Sequence, residues 1–331
     1  RRAYLVGQGY NDIPTGTVVR NNTVTGYQQL NPGATTGEGF GIVIEGVDHT
    51  VTGNTLEDND VALQLQGGGH PDANYTPEMN GDGNQSDGES PDYFGRGNAP
   101  YICSVTESGN TFTNNGTDTR LVTADGVFTM TSDIEAVIDK QVVLSDGSTS
   151  TTYCSIQEAV DNAGSGNTID VSAATYDENV SIATPLTLNG ANAGIDACDG
   201  NRSAETVKLG NLQITADDVT IDGFQFVDGE KVGAGELAAV EVLSGVSNAT
   251  VQYNIFERNS GSPALDASRG VVTYFGGSTN ITVDYNSFTG WQNGLYFQNS
   301  DQSSAAYNCF DNNMVGVSID NPIDVTIEFN D

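Results

Sequence analysis

One phrase recurs along this chain. "TVQYNIF" (250–256) returns as "TVDYNSF" (282–288), "AAYNCF" (305–310) and "TIEFN" (326–330). Earlier copies are "VVRNNTV" (18–24), "TVTGNTL" (50–56) and the looser "ESGNTF" (107–112). "TIDGFQF" (220–226) carries Phe224 where the others carry asparagine. The aligned residues are Asn22, Asn54, Asn110, Asn254, Asn286, Asn308 and Asn330. Steps of 22 residues separate the last three, and two further steps are 32. A 22-residue unit with loop insertions of about ten accounts for both, and a fixed period of that size marks a repeat architecture.

A second phrase lies between the first: "GIVIEG" (41–46), "VALQLQG" (61–67), "AAVEVLSG" (238–245), "GVVTYFGG" (270–277), "GLYFQN" (294–299) and "GVSIDN" (316–321). Each alternates apolar with other residues, as half-buried strands do. No helical-period segment intervenes between the paired phrases. Two or three short strands per 22 residues predict an all-β chain, a right-handed single-stranded parallel β-helix whose repeats bury their inward side chains against one another. The asparagines then sit at a bend, since Asn tolerates left-handed backbone. Stacked, their amides form a hydrogen-bonded ladder. The residue two places later points inward. Seven similar positions speak for architecture rather than catalysis, which needs one special repeat.

Charge narrows the partners. With 44 Asp plus Glu against 11 Lys plus Arg, the net charge is −33. Such a surface repels nucleic acid and anionic lipid. No apolar run approaches the length of a membrane span. A hydrophobic fraction of 37% argues against disorder. The four cysteines Cys103, Cys154, Cys198 and Cys309 include no C-x-x-C pair, which removes zinc and thioredoxin readings. Cysteines in an acidic, lysine-poor chain fit an extracellular, secreted or cell-surface setting.

The repeat lapses from about residue 121 to 203. "DIEAVID" (133–139) has helical spacing. "SIQEAVDNAG" (155–164) predicts a helix with Ile156, Ala159, Val160 and Ala163 on one face and Ser155 as its N-cap. "NTIDVSAATYDENVSIATPLTLNGANAG" follows at 167–194. This stretch resembles the opening of pectate-lyase-like right-handed β-helix domains: a capping helix, "TIDV", "TYDENV", then "PLTLNGAN". The resemblance covers 154–331 and implies the fold. It identifies no reaction, because the carboxylate cluster with its histidine found in polygalacturonases and the later pectin methylesterase motifs are absent. The expected organisation is repeats over 1–122 with a long acidic loop at 68–100, a linker with cap-like helices over 123–166, and a second β-helix segment over 167–331. Cys154 and Cys198 flank the cap and the first strands and are the expected disulfide, although spacing alone does not fix connectivity. "TIEFND" breaks off inside the repeat phrase. Further repeats of a longer chain, or copies of itself stacked head to tail, are the expected partners.

Candidate sites are few. Lyases of the resembled family use Ca²⁺ and an Arg or Lys base on neighbouring repeats, so Arg258, Asp266 and Arg269 form the catalytic alternative to surface ion pairing. "NGDGNQSDGESPD" (80–92) offers Asp82, Asn84, Asp87 and Glu89 as oxygen ligands for calcium, the only cofactor the sequence raises. Trp291 and Tyr296 are candidates for stacking on a sugar if they face solvent. His49 and His70, the two histidines, are read as rim and loop residues. The sequence therefore leads to a structural extracellular β-helix, a fibre or adhesin subunit. A polysaccharide lyase or glycoside hydrolase and a carbohydrate-binding segment are the alternatives.

Overall fold

The computed structural model describes residues 2–6, 14–29, 39–66, 102–123, 126–128, 139–232, 237–260, 267–273, 277–321 and 323–331. These fall into two compact units, Arg1–Gln141 and Val142–Asp331. Both are built from short strands, and nearly all strand pairs are parallel. No helix among the described residues is long and apolar enough to cross a membrane.

In the second unit the chain visits three sheets in rotation. A nine-stranded sheet gathers Leu186–Asn189, Thr220–Asp222, Thr250–Gln252, Thr282–Asp284, Ser304–Ala306 and Thr326–Glu328 in that order. A six-stranded sheet gathers Thr175–Asp177, Val207–Leu209, Gln225–Val227, Ile255–Glu257, Ser287–Thr289 and Cys309–Asp311. A third collects Val180–Ile182, Leu212–Ile214, Leu237–Val242, Ser268–Thr273, Asn293–Gln298 and Val315–Asp320. Consecutive strands of each sheet are a full repeat apart in sequence, so every repeat contributes one strand to each face.

Register follows from alternation. In "TVQ" and "TVD" only the middle residue is apolar, and Val251 and Val283 pair in line with Ala305 of "SAA"; all three are buried. In the six-stranded sheet Phe226, Phe256, Phe288 and Phe310 align. Their rings stack at 5.0, 4.7 and 5.0 Å with planes within 7° of parallel. Gly270 and Gly294 make room for this stack, because a Cβ on either would lie 2.7 or 2.8 Å from a ring atom of Phe288 or Phe310. The alternation continues downward to Lys208, which pairs with Phe226 on one side and Tyr176 on the other. Lys208 is fully buried. Its ammonium donates to the carbonyls of Glu178 and Leu209. Burial pushes its pKa down to about 8, against the opposing pull of Glu178, Asp177 and Glu230.

The helix forms at Ile156–Asp161 with Ser155 as N-cap, and Ile156, Ala159 and Val160 are buried. The "TYDENV" motif holds it in place. The Glu178 carboxylate accepts from the Ile156 and Gln157 amides at 2.9 and 3.0 Å and from the Ser155 hydroxyl at 2.8 Å. It thus satisfies helix amides that have no partner within the helix and sits at the positive end of the helix dipole. The other cap-like segment, 133–138, lies outside the described residues.

The first unit repeats the pattern on a smaller scale. Val18–Arg20, Gly46–Thr52 and Ile102–Ser108 form one parallel sheet, and Thr23–Thr25, Thr55–Glu57 and Thr111–Thr113 another. His49 is buried here, which corrects its reading as a rim residue. The strand alternation that buries Val47 and Val51 carries His49 inward with them. Its Nδ1 accepts from the Thr17 amide at 3.0 Å, and its Nε2 faces the Glu45 carbonyl at 2.9 Å. A backbone donor on one nitrogen and an acceptor on the other require the neutral ring with its proton on Nε2.

Desolvation holds the pKa of His49 below the usual histidine value, against the Glu45 carbonyl that favours the cation. The unfolded chain therefore binds the extra proton first, at about pH 6.5. The neutral ring's contribution is complete above that pH and is lost as pH falls through the lower folded-state value. In thermal melts, the margin of the native protein over a His49→Gln variant should shrink between pH 7.5 and 5; a constant margin would contradict this assignment.

Candidate functional site

The recurring asparagine phrase builds one corner of each unit, between the first strand of a repeat and the second. In the second unit the Asn254 amide N–H donates to Asn286 Oδ1 at 2.8 Å, and its side-chain Nδ2 donates to the same oxygen at 3.2 Å. Asn286 does the same to Asn308, and Asn308 to Asn330, at 2.9–3.1 Å. Each Nδ2 also donates backwards to a carbonyl of the preceding repeat: Asn254 to Ile221, Asn286 to Val251, Asn308 to Val283 and Asn330 to Ala305. Phe224 breaks the side-chain line, yet its backbone N–H still donates to Asn254 Oδ1 at 2.9 Å. In the first unit Asn22, Asn54 and Asn110 are joined in the same way.

The asparagine is not the left-handed residue of the bend. That residue is the one before it: Gly53, Gly109 and Gly223, but also Tyr253, Tyr285, Tyr307 and Phe329 at φ 54–57°. A bulky side chain at positive φ costs roughly 1–2 kcal/mol. Here the rings stack face to face, at 5.0 Å for Tyr253–Tyr285, 4.8 Å for Tyr285–Tyr307 and 5.2 Å for Tyr307–Phe329. Aromatic pairs contribute about 0.5–1.5 kcal/mol beyond area burial, which offsets strain of similar size. The stacking turns the ring faces towards one another and leaves edges to solvent.

A second ladder lies five residues on, at the next corner. Asn59 N–H and Nδ2 both donate to Asn115 Oδ1, at 3.0 and 3.1 Å. The Trp291 amide donates to Asn313 Oδ1 at 2.9 Å, and its indole N–H donates to the Phe256 carbonyl at 3.0 Å. Sequence reasoning missed this ladder. Its signal was present as N-x-[LF]-x-x-[NW] in "NTLEDN", "NTFTNN", "NSFTGW" and "NCFDNN".

Trp291 is therefore not a solvent-facing sugar platform; it is fully buried, with its indole doing what an asparagine amide does elsewhere. Tyr296 is partly buried on the third sheet, its hydroxyl accepting from Gln298 at 3.1 Å and the Arg269 guanidinium 5.2 Å from its ring centre. Arg269 donates to Gln292 Oε1 at 2.5 Å, and its Nε is buried without a partner. Arg258 serves elsewhere: it donates to the Asp228 carbonyl at 2.6 Å, meets the Asp228 carboxylate at 3.4 Å and lies 6.0 Å from the Trp291 ring centre. These contacts of the two arginines involve different residues. Asp266, His70 and the calcium candidates Asp82, Asn84, Asp87 and Glu89 lie outside the described residues. Among the described residues, no group of three or more His, Cys, Asp or Glu side chains gathers as metal ligands would.

The disulfide expected between Cys154 and Cys198 is not formed. Cys198 is bonded to Cys309, with a Cα–Cα distance of 5.9 Å across a sequence separation of 111. No cysteine among the described residues is free. The reason is geometric. The loop carrying Cys198 does not fold back on the helix; it runs along the tyrosine corner, where Cys309 follows the ladder residue Asn308 and has its side chain outside the core. In the chain-entropy model a loop of that length contributes roughly 4–5 kcal/mol to stability.

No protein-family model matches the chain, and no curated protein matches it.

The ladder amide of Asn286 is buried and satisfied on both atoms. Asn286→Ala strands the Asn254 and Val251 backbone groups, at about 1–3 kcal/mol for each unsatisfied group. We expect a loss of about 3 kcal/mol in denaturant unfolding, against less than 1 for Ser287→Ala beside it.

Proposed function

We propose that this chain is an extracellular structural protein, a right-handed single-stranded parallel β-helix that serves as a surface or matrix fibre or adhesin subunit and assembles end to end. The rotation of strands through three sheets and the two asparagine ladders support the solenoid. The absence of free cysteine among the described residues supports an oxidising location. The observation that carries assembly is where apolar surface lies. Of nine large exposed hydrophobics among the described residues, seven stand between Tyr307 and Phe329. Ile323 and Phe329 are 61% and 68% exposed. Phe329 is the outermost ring of its stack, and Thr326–Glu328 the outermost strand of its sheet. Open edges and apolar ends of this kind are covered by another layer of the same geometry, which either further repeats of a longer chain or a second copy of this one supplies; the assembly test below addresses the second copy. Calcium held by the acidic segment 80–92 belongs to the same proposal, since it lowers the repulsion between chains of net charge −33.

One observation favours a polysaccharide-active reading. Arg269 holds a buried, unpartnered Nε beside Tyr296. If that reading holds, the native protein shortens an acidic polysaccharide and Arg269→Ala does not; an inert native protein excludes it.

For assembly, sedimentation velocity over a concentration series should show association that strengthens with salt, as screening predicts. Ile327→Asp with Phe329→Asp should abolish it while the circular dichroism stays unchanged. A native chain that remains monomeric at the highest concentration and salt would overturn the reading.

A further inference from the structure

Between the strands Leu186–Asn189 and Val207–Leu209 the chain makes an excursion that belongs to no repeat. Its root is tightly fixed. The Ala191 amide donates to the Thr206 hydroxyl at 2.8 Å, and that hydroxyl donates to the Val171 and Ser172 carbonyls. Asn192 Oδ1 accepts from the Ser203 amide at 2.9 Å. Arg202, with its side chain only 4% exposed, pairs with Glu205 at 2.7 Å.

From this root the segment runs along the corner column and touches one repeat after another. The Gly194 amide donates to Asp222 Oδ1 at 2.8 Å, and Arg202 donates to the Tyr253 carbonyl at 2.7 Å. The Ala197 amide points to the Tyr285 carbonyl at 3.4 Å. Cys198 is bonded to Cys309. The anchors at 222, 253, 285 and 309 belong to four successive repeats. The segment is thus an external strap laid along the stacking direction, over the carbonyls of the strained left-handed residues.

Its two ends are held differently. The root is kept by buried side chains. Beyond Ile195, whose carbonyl the Arg202 guanidinium still holds at 2.9 Å, the tip is kept by one long backbone contact, outside the usual 2.7–3.2 Å range, and by the disulfide. Cys198 is exposed.

We propose that Cys198–Cys309 is a reducible clasp on this strap. Closed, it ties the outer repeats to the inner ones so that they open together. A dithiol reductant opens it. One reductant thiolate attacks the exposed Cys198 sulfur, the S–S bond breaks, and Cys309 leaves as a thiolate that takes a proton from water. The second reductant thiol attacks the mixed disulfide, frees Cys198 and closes as a cyclic disulfide, so two electrons pass to the protein. The tip then lifts while the root stays, the Tyr285 and Tyr307 carbonyls meet water, and the outer repeats fray on their own. This inference is independent of end-to-end assembly.

Hydrogen exchange on the full chain tests it. In a Cys198→Ser/Cys309→Ser double variant without reductant, exchange should rise about ten-fold or more at the tip, 195–200, and in Ser304–Ala306 and Thr326–Glu328, on the scale of local opening. The root and the strand Val180–Ile182 should keep native protection. Dithiothreitol added to the folded native protein should give the same pattern, with alkylation mass mapping to show that Cys198 and Cys309 are reduced, and reoxidation should reverse it. These native-protein data decide the matter if the variant does not fold. Unchanged tip exchange after mapped reduction would overturn the clasp, and so would a uniform rise across the second unit, which would make the disulfide a requirement of the whole fold.

Discussion

Everything in this structure depends on the bond between one asparagine amide and the next asparagine's side-chain oxygen. A single bond of this kind adds only about 1 kcal/mol net, but leaving its buried groups unpaired costs more. The penalty therefore acts on register. A repeat displaced by one residue would strand the amide, the carbonyl behind it and the backbone N–H together. It would also turn its apolar residues outward, because strand side chains alternate with period two. Ladder and core thus select the same alignment.

The same constraint explains where length can vary. Asn54 and Asn110 are separated by 56 residues, yet they bond at 2.9 Å as Asn286 and Asn308 do across 22. The residues added between Asn54 and Asn110 enter after Val61–Gln66 and before Ile102–Ser108, away from the corner, and leave its geometry alone. Loops are tolerated because their closure entropy grows only slowly with length. The strap at 191–205 enters at the corner itself, in a repeat that precedes the first ladder asparagine of its unit, and runs along the corner column, where it is fastened.

Much of this was legible in the sequence. The spacing of Asn22, Asn54, Asn110, Asn254, Asn286, Asn308 and Asn330 located the corner residues that the structure brings together in each unit, and alternation placed Phe288 inward. The helix at Ile156–Asp161 was legible from its apolar face and its N-cap. What failed has two causes: where a side chain points, and which distant residue it meets, as with the partner of Cys198. Trp291 is a sugar-stacking candidate only if it faces solvent, and it instead fills a buried ladder position five residues after Asn286. His49 reads as a rim residue, but strand alternation carries it into the core. The left-handed position falls on Tyr253, Tyr285 and Tyr307, types that turn statistics would not choose, because stacking between repeats offsets a strain that an isolated turn would not bear.

By itself, then, the sequence determined the period, the inward residues and the ladder positions, because these repeat at fixed separation and each is specified within one repeat. The tertiary structure alone decided the partner of Cys198, the burial of Trp291 and the course of the strap. Those outcomes rest on which residues of distant repeats come to lie side by side. Spacing along the chain carries no information about that until the stack is built.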